Sequence, residues 1–229
     1  MLNKSLHKLG VKHLIYFDEG QYIDPFVKKE LEETNAVIRY KKNYFGGHAG
    51  WADAMQKIEG YKEAVKVFDI KDSDWLIDMD DDTYMCNDSI LKLLTDDVDL
   101  VGIQHEPKYN TQIGLFGHMS GALLSMRGKV VLDLVSQSDL FWGRIGEELN
   151  KYNHCHMWDV VVSYSCASLG ARQLNVSKEV DLNISPEDHF LGKAEGNFFH
   201  FNSPYKEFIG EPINGKHDIP MLLHSKNLI

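Results

Sequence analysis

Trp75-Leu76-Ile77-Asp78-Met79-Asp80-Asp81-Asp82-Thr83-Tyr84-Met85 is the segment that organises the chain. Three apolar residues, Trp and Ile among them, follow the polar turn Lys71-Asp72-Ser73-Asp74 and predict a strand. That strand runs into four carboxylates within five positions, Asp78, Asp80, Asp81 and Asp82. Like charges gathered at a strand end repel one another, and a divalent cation is the simplest remedy. Mg²⁺ or Mn²⁺ takes hard oxygen ligands, commonly one or two carboxylates with phosphate oxygens and water. The run therefore points to a site that holds a phosphorylated substrate through its metal. Residues i and i+2 share a face of an extended strand, so two metal-binding frames are open, Asp78-Met79-Asp80 and Asp80-Asp81-Asp82.

The rest of the composition narrows the function classes. A chain of 229 residues, 43% hydrophobic, can bury a substantial core and is expected to form one domain over 1–229. The net charge of -10, with no Lys/Arg cluster, argues against a nucleic-acid binder. Three scattered cysteines, Cys86, Cys155 and Cys166, make neither a disulfide framework nor a zinc knuckle, so a reducing, cytoplasmic setting is expected. No apolar run approaches the ~20 residues of a membrane span, and the N-terminus lacks the apolar core of a signal peptide.

Outward from the acidic run, strand and helix signals alternate. Residues 1–10 read as the end of a helix closed by Gly10. His13–Phe17 and Ala36–Tyr40 read as strands. Asp24-Pro25 starts a helix to about Glu33, with Asp as cap and Pro in the first turn. Gly46-Gly47-His48-Ala49-Gly50 reads as a loop. Trp51, Met55, Ile58, Tyr61, Val65 and Phe68 recur at helical spacing, which predicts an amphipathic helix whose stripe is core. Asn87 or Asp88 caps a short helix to Leu94, and Leu100–Ile103 is a strand. Gly114–Phe116 and Gly121–Met126 read as strands, Lys129–Val135 and Met157–Leu169 as helices. Alternation of this kind predicts an α/β sandwich, with a largely parallel central sheet flanked by helices and its ligand at the strands' carboxyl ends. Residues 185–229 are expected to be an irregular segment lying over the site.

Several of these pieces resemble the Fringe and β1,3-galactosyltransferase family of GT-A glycosyltransferases. Trp75…Asp80-Asp81-Asp82-Thr83-Tyr84 is similar to that family's DxD segment. His13-Leu14-Ile15-Tyr16-Phe17-Asp18-Glu19 resembles its second strand, Ser120-Gly121-Ala122-Leu123-Leu124-Ser125 its glycine-rich segment, Trp158-Asp159…Ser163-Tyr164 its acidic helix start, and Phe199-His200 its late Phe-His. The pieces occur in the family's order over roughly residues 12–205. Trp158 stands where the family has the first acid of a pair, and the family's disulfides are missing. Its first strand and Arg-containing helix would precede residue 12, where this chain has almost nothing.

The resemblance implies a GT-A fold and a metal-dependent transfer from a nucleotide-sugar, a UDP-sugar ahead of a GDP-sugar, to a hydroxyl of a glycan or other acceptor. Asp80, Asp82 and His200 would hold Mn²⁺ or Mg²⁺. Asp18, Asp78, Asp80 and Asp81 would meet the donor nucleotide, with Asp78 alternatively turned back toward the sheet. Asp159 would be the general base of an inverting reaction.

Plainer readings stand beside these. The acidic run fits a solvated loop, Asp159 a helix cap, His200 a packed histidine, and Asp18 a turn cap. His154-Cys155-His156 has poor spacing for chelation. A haloacid-dehalogenase-type phosphatase needs Thr or Val two residues beyond its second Asp, and neither frame has one. A nucleotidyltransferase would carry a Gly-rich basic N-terminal loop. A retaining transferase and a non-catalytic carbohydrate- or metal-binding module remain the alternatives.

Overall fold

A computed structural model describes residues 10–20, 22–41, 51–79, 83–85, 90–152, 157–177 and 198–200. The predicted helix before Gly10, the 46–50 loop, the Asn87/Asp88 cap, the 154–156 cluster and most of 185–229 lie outside them. The chain divides into two compact units.

The first unit takes residues 1–40, 79–93 and 177–229. It contains β1 (Leu14–Asp18), α1 (Pro25–Glu33), and β2 (Val37–Lys41), whose last residue belongs to the second unit. Asp24 caps α1 through a hydrogen bond from the Phe26 N–H to its carboxylate at 2.8 Å, so this start was legible in Asp-Pro. β1 and β2 pair with each other. The stretch after the acidic run forms β4 (Thr83–Met85), followed by a short 3₁₀ turn at Ile90–Leu93. In β10 (Phe198–His200), Phe198 pairs with Met85, Phe199 with Tyr84 and His200 with Thr83, antiparallel.

The second unit, residues 41–78 and 94–176, is a four-stranded sheet under helices. Its strands are β3 (Trp75–Asp78), β5 (Leu100–Gln104), β8 (Met119–Arg127) and β9 (Gln173–Asn175), in the order β3-β8-β5-β9. The expectation of a largely parallel sheet is corrected here. β8 runs antiparallel to both β3 and β5, and the β5–β9 pair is parallel. Parallel neighbours need a crossover, usually a helix. Between β5 and β8 the chain instead makes the antiparallel hairpin of β6 (Tyr109–Thr111) and β7 (Gly114–Phe116), which returns it beside β5 in the opposite sense. Helices do separate β8 from β9, and the β5–β9 pair is parallel.

Those helices are α3 (Gly128–Val135), α4 (Asp139–Leu149) and α5 (Trp158–Ser168), and α2 (Trp51–Phe68) precedes the sheet. Ile58 and Tyr61 of α2, Leu124 and Met126 of β8, Val131 and Leu134 of α3, and Val162 of α5 form one continuous core. Leu134 is fully buried there, so Leu134→Ala would cost about 2–5 kcal/mol. α5 is buried from Asp159 through Cys166, and within it the Ser163 and Ser165 hydroxyls donate to the Asp159 and Val161 carbonyls one turn back. Its β-branched run Val160-Val161-Val162 favours a strand locally, and burial outweighs that preference. Gly170, at φ +82, ends it in the left-handed region that glycine adopts freely.

α4 carries no clear sequence signal, because Gly143 and Gly146 interrupt it. Ser138 caps it, accepting from the Phe141 N–H at 3.4 Å, and Trp142, Ile145 and Leu149 bury one face. Among the described residues, no helix is long and apolar enough to cross a membrane.

Candidate active site

Asp78 is the last residue of β3, and both of its carboxylate oxygens are engaged. Lys57 Nζ lies 2.8 Å from Oδ1, and the Tyr61 hydroxyl donates to Oδ2 at 2.5 Å. Lys57 and Tyr61 are one helical turn apart on α2, so they present themselves together to the strand end. The pair is largely buried, with side-chain exposures of 16% for Lys57 and 11% for Asp78. Asp78 is the first of the clustered carboxylates, expected either to meet the donor nucleotide or to turn back toward the sheet. Its charge is offset by Lys57 rather than left to a ligand.

Lys57 Nζ also stands 4.0 Å from the centroid of the Trp158 ring, a cation–π contact. Trp158 opens α5, and Asp159 follows it. Asp159 is 8% exposed and does not occupy the N-cap, which is Met157. Its Oδ1 accepts from the Val160 N–H at 2.9 Å and its Oδ2 from the Gly121 N–H at 3.1 Å. Burial raises its carboxyl above the ordinary value of 3.8, against the pull of those two backbone donors.

Gly121 has a free N–H for a structural reason. β3 pairs with β8 only from Leu124 to Arg127. On the other side, Gly102 pairs with Leu124 and Gln104 with Met119, so the ladder is interrupted where β8 bulges. Gly102 has no room for a Cβ, because the Leu123 carbonyl oxygen would stand 2.7 Å from it. The bulge leaves the Gly121 N–H outside the ladder and available to Asp159.

His118 lies immediately before β8. It is 3% exposed, and its ring stacks on His105 with centroids 4.4 Å apart. His118 Nε2 is 3.9 Å from Asp159 Oδ2. Burial first, then the charges of His105 and Lys108, bring its imidazole down to about 4. At neutral pH it is uncharged. Cys166, also buried, is no nucleophile, since desolvation pushes its thiol up to about 12.

No protein-family model and no curated protein sequence matches the chain.

The predicted site residues divide between the two units. Asp159 and Asp78 belong to the second, and Lys57 and Trp158 connect them. Asp18 ends β1 and His200 ends β10, but their side chains are not among those described. Asp80, Asp81 and Asp82 lie outside the described residues. Among the described residues, no group of three or more His, Cys, Asp or Glu side chains could hold a metal ion. What the backbone does define is the partner of the strand that follows the run. Thr83, next in sequence to Asp82, is the register partner of His200.

Sequence reasoning missed Lys57, Tyr61's hydroxyl and His118. Tyr61 falls on the apolar stripe of α2, and a buried phenol needs a hydrogen-bond partner. That requirement, with Lys57 four residues earlier, was the available signal. His118 sits between Gly117 and Met119 and carries no local sign of burial.

Proposed function

We propose that this chain is a GT-A-type glycosyltransferase, moving a sugar from a nucleotide-sugar, a UDP-sugar first among candidates, to a hydroxyl of a glycan or other acceptor. The observation that carries this reading is the β4–β10 register. It joins the strand leaving Asp80-Asp81-Asp82 to the strand ending in His200, two places the reading requires to act together. Two carboxylates and an imidazole are a donor set that suits Mn²⁺, and Mg²⁺ less well because it favours oxygen alone. Asp78 is spoken for by Lys57 and Tyr61, which leaves Asp80, Asp82 and His200 as the residues that would hold the ion. When bound, the cation offsets the charge developing on the departing diphosphate.

In this reading Asp159 takes the proton of the acceptor hydroxyl. The hydroxyl oxygen bonds to the anomeric carbon as the bond from that carbon to the donor phosphate oxygen breaks. Attack opposite the leaving nucleotide inverts the anomeric centre. A carboxyl raised by burial is a stronger base than one in water, which suits this role. A retaining reaction is the second reading, favoured by one feature: both Asp159 oxygens already accept backbone hydrogen bonds.

Mn²⁺-dependent release of nucleoside diphosphate, measured across a panel of nucleotide-sugars, tests the proposal. Release from one donor is expected, with loss of Mn²⁺-dependent donor binding in Asp82→Ala and in His200→Ala. Binding without release from any donor would leave a carbohydrate- or metal-binding module. Unchanged donor affinity in both variants would remove the metal role.

A further inference from the structure

Among the described residues, neither ring nitrogen of the buried His118 has a hydrogen-bond partner. A buried polar group without one is costly, and the arrangement persists only where something compensates. The ring is not free to turn toward water. Its backbone carbonyl accepts from the His105 N–H at 2.9 Å, one face stacks on His105 at an interplanar angle of 21°, and the Tyr109 ring lies 6.4 Å away. Rings stacked nearly parallel hold their nitrogen lone pairs in parallel planes, which is wrong for two ligands of one ion. The remaining polar neighbour among the described residues is Asp159, whose Oδ2 stands 3.9 Å from Nε2, just beyond hydrogen-bonding distance.

We propose that His118 is a positioning residue for Asp159, its Nε2–H closing onto Oδ2 to hold the carboxyl ionised until it takes the acceptor's proton. The inference rests on Asp159 being the base. Among the described residues, the groups facing the pair are His105 and Lys108 from the segment between β5 and β6, Tyr109 from β6, and Ser163 from α5. Ser163 Oγ is committed, donating to the Asp159 carbonyl and accepting from the Met119 N–H at 3.3 Å. His105 and Lys108 both act to keep His118 neutral, and a neutral imidazole has one N–H to give. Burial alone would leave Asp159 protonated over part of the acid range, where it cannot accept. A donor at Oδ2 opposes that.

The test is an NMR titration of the Asp159 carboxyl in the unaltered protein, His118→Phe and His118→Asn. The midpoint is expected about one pH unit higher in His118→Phe and near the original in His118→Asn, whose amide can still donate. The acid limb of the transfer rate should move with it at unchanged donor KM. Nitrogen NMR of the unaltered protein should find the proton of His118 on Nε2 at neutral pH. Equal midpoints in all three proteins, or a proton on Nδ1 alone, overturn the proposal. If His118→Phe does not fold, the nitrogen spectrum decides by itself. Should Asp159→Asn still transfer sugar, the base reading fails, while the carboxyl midpoint still reports whether the two side chains are coupled.

Discussion

Asp159 Oδ2 and the backbone nitrogen of Gly121 are 3.1 Å apart across 38 residues of chain. The contact ties the first turn of a buried helix to the bulged part of β8. It spends the carboxyl's charge on a backbone donor that the β-ladder left over. It also fixes the carboxyl beside His118, where burial acts on both groups in opposite senses.

Asp159→Asn should separate catalysis from architecture. The amide oxygen can keep one of the two backbone hydrogen bonds, so the fold should persist. Transfer is expected to fall by ~10²–10⁴-fold, the usual contribution of a positioned base. Donor KM should hardly change. Steady-state kinetics with the donor identified by nucleotide release would measure both, and near-normal transfer would return Asp159 to a structural role.

Asp78→Asn removes the anion that Lys57 faces in a largely buried setting. A hydrogen bond to a charged partner contributes more than a neutral one, so a loss of about 2 kcal/mol is expected. Tyr61→Phe removes a hydrogen bond to the same carboxylate but leaves the Lys57–Asp78 ion pair in place, so a smaller loss of about 1.5 kcal/mol is expected. Urea unfolding midpoints would rank the two, and equal midpoints would count against the Lys57 pair as the stronger contact.

Acid stability follows from His118. Its folded pKa of about 4 lies below the ordinary 6.5, so between those values the unfolded chain binds the extra proton. Stability should therefore fall as pH drops from 6.5 toward 4, by about 3 kcal/mol at most, and this group should add nothing further below that. Asp159 works the other way. Its raised carboxyl makes the folded form the better proton binder above 3.8, partly offsetting the loss there. Asp99, held well below 3.8 by Arg172 and then Lys129, stabilises above its ordinary value and loses that contribution only in stronger acid. Unfolding free energies from pH 7 to 4 should show the slope, and His118→Phe should flatten it.

Gly143→Ala should stabilise the protein. Gly143 is inside α4, and a Cβ there would meet nothing within 4 Å. Replacing a mid-helix glycine with alanine at an open position gains up to about 1 kcal/mol. A higher thermal midpoint is expected.

Elements whose signal is local were legible in the chain. Trp51–Phe68 declares itself by an apolar residue each turn, Asp24-Pro25 starts its helix, and Gly170 ends another. α4 was hidden because Gly143 and Gly146 break the propensity count. Gly146 has a reason to be small: a Cβ there would sit 3.4 Å from the Trp51 ring. The direction of β8 was not legible either. Alternating strands and helices suggest parallel pairing, and only the β6–β7 hairpin reverses the sense.

The residues by themselves determined where the acidic run lies, which segments are periodic, and that Asp159 begins a helix, because each depends on neighbours a few positions away. Tertiary structure alone decided that Lys57 neutralises Asp78, that His118 is sealed beside Asp159, and that His200 pairs with Thr83. Those facts depend on burial and strand register, which arise when segments far apart in sequence are packed together and water is removed from between them.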